Sequence, residues 1–477
     1  MNNTASVRSL VNAKGTTVRE DAITVFQETF SGPVVRPADA AYDETRQVWN
    51  GTVDKRPGLI ARCTGTAGVI AAVHFAREND LLTAIRGGGH NVGGRSLCDG
   101  GIVIDLSLMK AVFVDPAART VRAQPGVTLG VLDRETHVHG LAVPVGVVTG
   151  TGIAGLTLGG GVGWLVRKYG LTIDNLLSCE VVTAGGEVLT ANAEVNADLF
   201  WALRGGGGNF GVVTSFEYRA HPVHTVLAGM IVHPIAKAKE LIRFFRGFMA
   251  AAPEELTAYA ALFRLPDGTP AAAVIPCYCG GLDEGARVIR PLREFGNPMM
   301  DSVGPMPFPA LQSMLDASYP NGRHNYWKSA MSPEFPDDAI EAVVESANKI
   351  TSPLSTIVLE YYGGAYSRVG PTETAYAHRG DQWNTGIYAQ WTGDSEAEPH
   401  IAWARGLAAA LEPFSSRAKI ISFIGDEDET AIHAAFGANY GRLADIKKKY
   451  DPTNFFRVNQ NIAPAPQEGR KAARVMR

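Results

Sequence analysis

Three consecutive glycines followed by a histidine, in Arg86-Gly87-Gly88-Gly89-His90-Asn91, constrain this 477-residue chain more than any other segment. They follow a short apolar run over residues 81–85. Residues without a Cβ leave a turn whose backbone N–H groups can close on an anion and reach φ > 0. An imidazole at the rim of such a cradle points to a large phosphorylated cofactor whose reactive ring lies within reach of His90. Imidazole is nucleophilic when neutral, and that form is well populated near pH 7. His90 could therefore bond an electrophilic carbon of the cofactor.

Glycine is abundant, at 52 residues, and gathers in residues 86–101, 146–170 and 204–211. Clusters of this kind between periodic segments favour backbone–ligand contact over low complexity. The length predicts two domains. Residues 59–124 read as short strands around one helix, with Thr66 as its cap and Val69, Ile70, Val73 and Ala76 at helical spacing. Thr128 caps a second helix that stops at Gly140, and residues 212–219 alternate as a strand with two faces. The segment 146–170 has no clean period. After His221-Pro222 the pattern changes to amphipathic helices over 235–251, 283–295, 336–350 and 399–411. Strands over 271–277, 356–362 and 386–391 lie between them, as in a second α+β unit. Asp451-Pro452 and the aromatic-rich residues after it suggest a return to the first domain.

The net charge of −4 gives no sign of a nucleic-acid or anionic-membrane partner. Lys447-Lys448-Lys449 and the basic tail from Arg470 read as solvated surface. Cys63, Cys98, Cys179, Cys277 and Cys279 are odd in number and widely spaced, which favours free thiols in a reducing compartment. Without a signal-peptide pattern or a membrane-length apolar run, the expected location is cytoplasmic. His137 and His139 fall on opposite faces of a predicted helix and cannot share a metal, so no metal site is expected. His74 and His433 read as surface or satisfied core histidines. Residues 150–155 match GxGxxG, with Asp174 about 20 residues on, as a dinucleotide fold would require. The glycines that continue from Gly159 to Gly163 suit a lining pressed on a flat ring better than a helix start. Tyr440 has two readings: a packing aromatic, or a general base whose phenol must be depressed or move its proton in concert.

Taken together, Arg86–Asn91, residues 146–163, Asp174-Asn175 through Glu180–Thr183, residues 209–213 and the ending 454–462 resemble the berberine-bridge-enzyme-like flavoproteins. These have the vanillyl-alcohol-oxidase (PCMH-type) FAD-binding fold. The likeness runs from about residue 45 to 464. It implies an α+β fold: an FAD domain of two α/β subdomains over 1–222 (core about 53–222), a substrate domain over 223–440 with an antiparallel sheet backed by helices, and a return over 441–477. It also implies FAD joined to His90 through the 8α-methyl. The FAD would be held by Arg86, Gly87, Gly88, Gly89, Asn91 and Gly93, by Thr149, Gly150, Gly152, Gly155, Gly159, Gly160 and Gly163, and by Asn175, Val182, Gly211, Val213, Asn459 and Asn461. Many relatives carry a second flavin-linking cysteine, and Val148 stands in its place, so a single link is expected. Gly437 replaces the first tyrosine of a Tyr-x-Asn-Tyr pattern and Tyr440 keeps the second, which raises Tyr440 as base or substrate-orienting group. Tyr361, Tyr362, Tyr388 and Gln390 are candidates for the substrate pocket, as is the loop over 305–325.

The implied activity is that of an FAD-dependent oxidase. It would move a hydride from an alcohol, sugar, amine or secondary metabolite to flavin N5, with O2 as acceptor and H2O2 as product. A dehydrogenase with non-covalent FAD or NAD and a flavin-free binding protein are the alternatives.

Overall fold

The computed structural model describes residues 9–393, 396–425 and 429–466. The first residues and the basic tail from Arg470, for which expectations were stated, lie outside the described residues. Three larger sheets and one two-stranded pair, Leu141–Ala142 with His221–Pro222, organise the described residues. In a four-stranded sheet, Leu59–Arg62, Ile102–Asp105 and Thr83–Arg86 run parallel, with Val34–Val35 antiparallel at the edge. The helix Thr66–Glu78 begins where the sequence indicated. Thr66 does not cap it, because its hydroxyl donates to Glu180 Oε1 at 2.9 Å. A second, fully antiparallel sheet has the order Val112–Asp115, Thr120–Ala123, Val212–Arg219, Leu176–Val182 and Val188–Asn192. The glycine-punctuated stretch contains a short helix, Ile153–Leu158, that the missing period concealed.

The third sheet has nine antiparallel strands drawn from residues 225–391. Its two faces follow the period-2 rule for strands. Ala258, Ala260, Leu262, Ile357, Leu359, Ile387 and Ala389 face the helices Ala238–Ala251, Leu282–Glu294, Asp337–Asn348 and Ala397–Leu411 in one apolar core. Tyr259, Val358, Glu360 and Tyr388 lie on the opposite face, toward the glycine-rich segments. The chain re-enters the core of the five-stranded layer at Ile421, Ile432, Phe436, Leu443 and Ile462.

Lys447 corrects the reading of its lysine run as solvated. Its ammonium is fully buried and donates to Asn209 O (2.7 Å), Phe456 O (3.0 Å) and Asp451 Oδ2 (2.6 Å). A buried charge persists only when paired and hydrogen-bonded in this way. It ties the returning chain to the Asn209–Gly211 loop of the cofactor layer. No helix among the described residues is long and apolar enough to cross a membrane.

Candidate cofactor and active site

The strand Thr83–Arg86 delivers the glycine cradle, and Arg86 fixes its angle. The Arg86 guanidinium forks onto Asp105 of the neighbouring parallel strand (Nε–Oδ1 3.1 Å, Nη2–Oδ2 2.6 Å), and both side chains are buried. Arg86 therefore anchors the cradle, rather than meeting the cofactor as expected. Gly88 and Gly152 explain why both segments are glycine. A Cβ on Gly88 would stand 2.5 Å from Gly152 Cα, and one on Gly152 would stand 2.5 Å from Gly88 N. The cradle and the 146–163 lining are thus pressed backbone to backbone.

A cavity of about 350 Å³ opens along this seam. Gly87, Gly88, Gly89, His90, Asn91, Gly152, Gly155, Gly159, Gly211, Val213 and Asn459 all border it, as the sequence indicated. Val148 borders it too, and none of the five cysteines does. All five thiols are free; four are buried and Cys279 is half-buried. His90 is half-buried, with its Nε2 shielded and without a hydrogen-bond partner, and desolvation pushes its pKa down to about 4. It is therefore neutral and nucleophilic across the physiological range. Ser96 Oγ and Asn459 Oδ1 are also unpartnered beside the cavity. A glycine floor that a Cβ would fill, together with unsatisfied polar atoms and a neutral imidazole, fits a long cofactor carrying both phosphates and a flat ring.

Other cofactor candidates lie elsewhere. Gly163 packs on Val145 O, Gly160 on the Tyr376 ring and Gly93 on Gly425 O, while Gly150 faces open space. Thr149 bonds Asp316 across the two halves of the molecule. Asn175 holds Tyr169 O, Leu171 O and His221, and Val182 is core. Asn461 Oδ1 is buried and unpartnered but does not border the cavity. Asp174 is taken by Arg379 (2.7 Å) and cannot serve a ribose. His137 stacks on His224 at 4.4 Å, and among the described residues no cluster could hold a metal.

The far wall comes from the nine-stranded sheet. Its register sets Tyr259 opposite Glu360, Glu360 opposite Asn384, and Tyr388 opposite Trp327. Tyr259, Tyr319, Trp327, Val358, Glu360 and Tyr388 border the cavity. Tyr388 was expected, as was a contribution from the 305–325 loop, which supplies Leu315 and Tyr319. Tyr388 folds its phenol over Gly386, where a Cβ would meet its oxygen at 2.3 Å. Tyr362 sits behind the wall and donates its hydroxyl to Glu360. Gln390 is buried between Asn325 and Arg323, and Tyr361 packs on Trp383. Sequence reasoning missed Glu360, although a carboxylate two residues from Tyr362 in an apolar strand was a visible signal.

Burial pushes the phenols of Tyr259 and Tyr388 well up, and that of Tyr319 to about 12, so they stay protonated. Burial also raises Glu360, against the donors Tyr362 and Asn384 (2.6 Å) that favour its ionised form. Glu360 is the carboxyl that borders the cavity on this wall. Tyr440 does not border the cavity. It opens the helix Tyr440–Tyr450 and stacks on His433 at 3.6 Å. The packing reading stands for it, and Tyr440→Phe is expected to leave anaerobic flavin reduction at the wild-type rate in stopped flow. A slowed reduction would return Tyr440 to the chemistry.

The chain matches the FAD binding domain family over residues 57–192 and the berberine and berberine-like family over residues 424–463. An FAD-linked oxidoreductase of Dictyostelium discoideum is 34% identical over 452 residues, covering 92% of this chain and 96% of that protein. The (R)-6-hydroxynicotine oxidase of Paenarthrobacter nicotinovorans is 34% identical over 452 residues, covering 91% and 97%. The crystal structure of 6-hydroxy-D-nicotine oxidase from Arthrobacter nicotinovorans superposes with a TM-score of 0.85 at 31% identity, covering 92% of this chain and 99% of that one. With its glycine seam and neutral histidine on an FAD-binding fold, this chain is an FAD-dependent oxidoreductase of the berberine-bridge-enzyme-like family.

Proposed function

We propose that the protein is an amine oxidase that carries FAD on a single covalent link at His90 and binds its substrate as a cation against Glu360. The observation that carries this reading is Glu360 itself. It is a buried carboxyl on an aromatic wall, held by two neutral donors, and no cationic group contributes to its ionisation. A buried carboxylate without a counter-charge is costly, which is why burial favours its neutral form, and a cationic ligand would supply the missing counter-charge. Tyr259, Trp327 and Tyr388 offer π faces, which attract an ammonium most strongly where water is excluded. The similarity to (R)-6-hydroxynicotine oxidase, over nearly the full length of both chains, supports an amine.

Bound in this cavity, FAD would supply the acceptor for a hydride from the carbon beside nitrogen, and O2 would regenerate it with release of H2O2. Glu360 takes the ammonium proton, which frees the nitrogen lone pair that assists C–H cleavage. The aromatic side chains orient the substrate and keep water out. The glycine seam holds the cofactor, and His90 is its anchor. Val148, where a second link would need a cysteine, supports one attachment.

The test is anaerobic flavin bleaching by matched substrates. Cyclic secondary amines are expected to bleach the enzyme, and aryl alcohols and xylo- or gluco-oligosaccharides are not. Bleaching by saccharides alone would overturn the amine reading. Air should restore the colour, with stoichiometric H2O2.

A further inference from the structure

Against His90 stands Trp49, which does not itself border the cavity. Its indole is buried and stacks on the imidazole with ring centroids 4.2 Å apart and planes 16° from parallel. Its edge meets Trp327 of the substrate wall at 5.2 Å. The indole is held on several sides. Its N–H donates to Tyr319 O (2.9 Å), its backbone N–H to Gly89 O (3.1 Å), and its carbonyl accepts from Gly322 N–H (2.9 Å). Asn50, the next residue, donates its amide to Val92 O (2.7 Å) and Asn325 O (3.0 Å). A short strap from the start of the chain thus lies between the cradle and the 319–325 loop, and it presents one flat face to one histidine.

An imidazole in a glycine-rich loop has little of its own to fix its ring plane. His90 Nε2 has no hydrogen-bond partner, the ring's local tie is a hydrogen bond to its own backbone, and its neighbours Gly87, Gly88 and Gly89 carry no side chains to brace it. Parallel stacking is the interaction that restricts rotation about the Cβ–Cγ bond, since turning the ring would drive its edge into the indole. We propose that Trp49 is the positioning residue for the His90–flavin bond, holding the imidazole plane so that its edge is presented to the flavin methyl. The inference rests on the covalent reading of His90. In the linking reaction a C–N bond replaces one imidazole N–H and one methyl C–H. The two hydrogens and two electrons leave on O2 as H2O2, so no other oxidant is needed.

The experiment compares wild type, Trp49→Phe and Trp49→Leu as purified holoproteins. Phenylalanine keeps a stacking ring but loses the N–H bond to Tyr319, whereas leucine keeps apolar bulk without a flat face. Flavin that stays with acid-precipitated chain is measured, together with the rate at which the remaining fraction links during incubation with FAD. Trp49→Phe is expected to link at the wild-type rate. Trp49→Leu is expected to link about 10²-fold more slowly while still binding flavin before acid, the penalty of a misplaced reacting group. Equal rates for the two variants, whether both normal or both slow, would overturn the proposal, because the ring would then not be the cause. If wild type itself releases its flavin into acid, the covalent reading fails and Trp49 has no bond to position. Wild type linked with Trp49→Leu equally linked defeats Trp49 alone. Should the leucine variant not fold, histidine-labelled holoenzyme gives a second reading. The His90 ring protons are expected upfield, in the ring current of the indole, in wild type and Trp49→Phe. Unshifted protons in wild type would overturn the stack.

Discussion

His90→Ala is expected to convert a flavin that stays with the denatured chain into one that is wholly released. Acid precipitation of wild type should give a yellow pellet, and the flavinylated peptide should carry one attachment. The variant should give a colourless pellet and a yellow supernatant. Burial holds the imidazole neutral, with its pKa near 4, so the nucleophilic form dominates at pH 7. Among the other nucleophiles, none of the five cysteines borders the cavity, and burial holds the phenols that do, Tyr259, Tyr319, Tyr376 and Tyr388, in their protonated form. Burial also pushes the thiols of Cys63, Cys98 and Cys279 up to about 12, so they are not thiolates. The variant should keep its fold, because the cradle angle is set by Arg86 and Asp105 and its contact with the lining by Gly88 and Gly152. It should also bind flavin reversibly, with colour in the native state lost on extensive dialysis. A yellow pellet from His90→Ala would place the link on another residue. A released flavin in wild type would remove the covalent reading and leave the FAD-dependent family assignment standing.

The cofactor half of the site was legible in the sequence because its requirements are local. A close backbone approach demands glycine at both partners, so Gly88 and Gly152 announce themselves wherever the chain places them. The substrate half was legible only where a strand showed its period. Tyr388 was named for lying on a strand-like segment, as were Tyr361 and Tyr362, but Glu360 beside them was passed over, since the face that meets the cavity depends on register across Tyr259, Asn384 and Trp327. Trp49 left no signal at all, because it acts through a contact between distant segments. Two misreadings have the same origin. Lys447 was placed on the surface with its neighbours, yet one of three lysines on a helix turns inward and finds Asp451. Tyr440 was judged by a neighbouring pattern, and tertiary packing gave it to His433.

Glu360→Gln separates the chemistry of the wall from its packing. Glutamine matches the volume of glutamate, and its carbonyl can accept from Tyr362 and Asn384 as the carboxylate does. What it removes is the charge and the proton acceptor. Anaerobic flavin reduction by a bleaching amine is expected to fall by about 10²–10⁴-fold, the range for loss of a general base. Amine affinity should fall with it, since the counter-charge is gone. In wild type the reduction rate should drop as pH falls through the raised pKa of Glu360, because a protonated carboxyl cannot take the ammonium proton. That acid limb should be absent in the variant. Stability should move the other way. A carboxyl whose pKa is raised by folding binds more protons in the native state, so it costs stability as pH rises from the unfolded carboxyl range through the folded value. Glu360→Gln escapes that cost, and its melting temperature above neutral pH should equal or exceed that of wild type. A residue kept for packing would show the reverse pattern, with rate preserved and stability lost. Loss of rate without loss of stability marks a buried charge retained for its reaction. An unchanged rate with an unchanged acid limb would remove Glu360 from the chemistry.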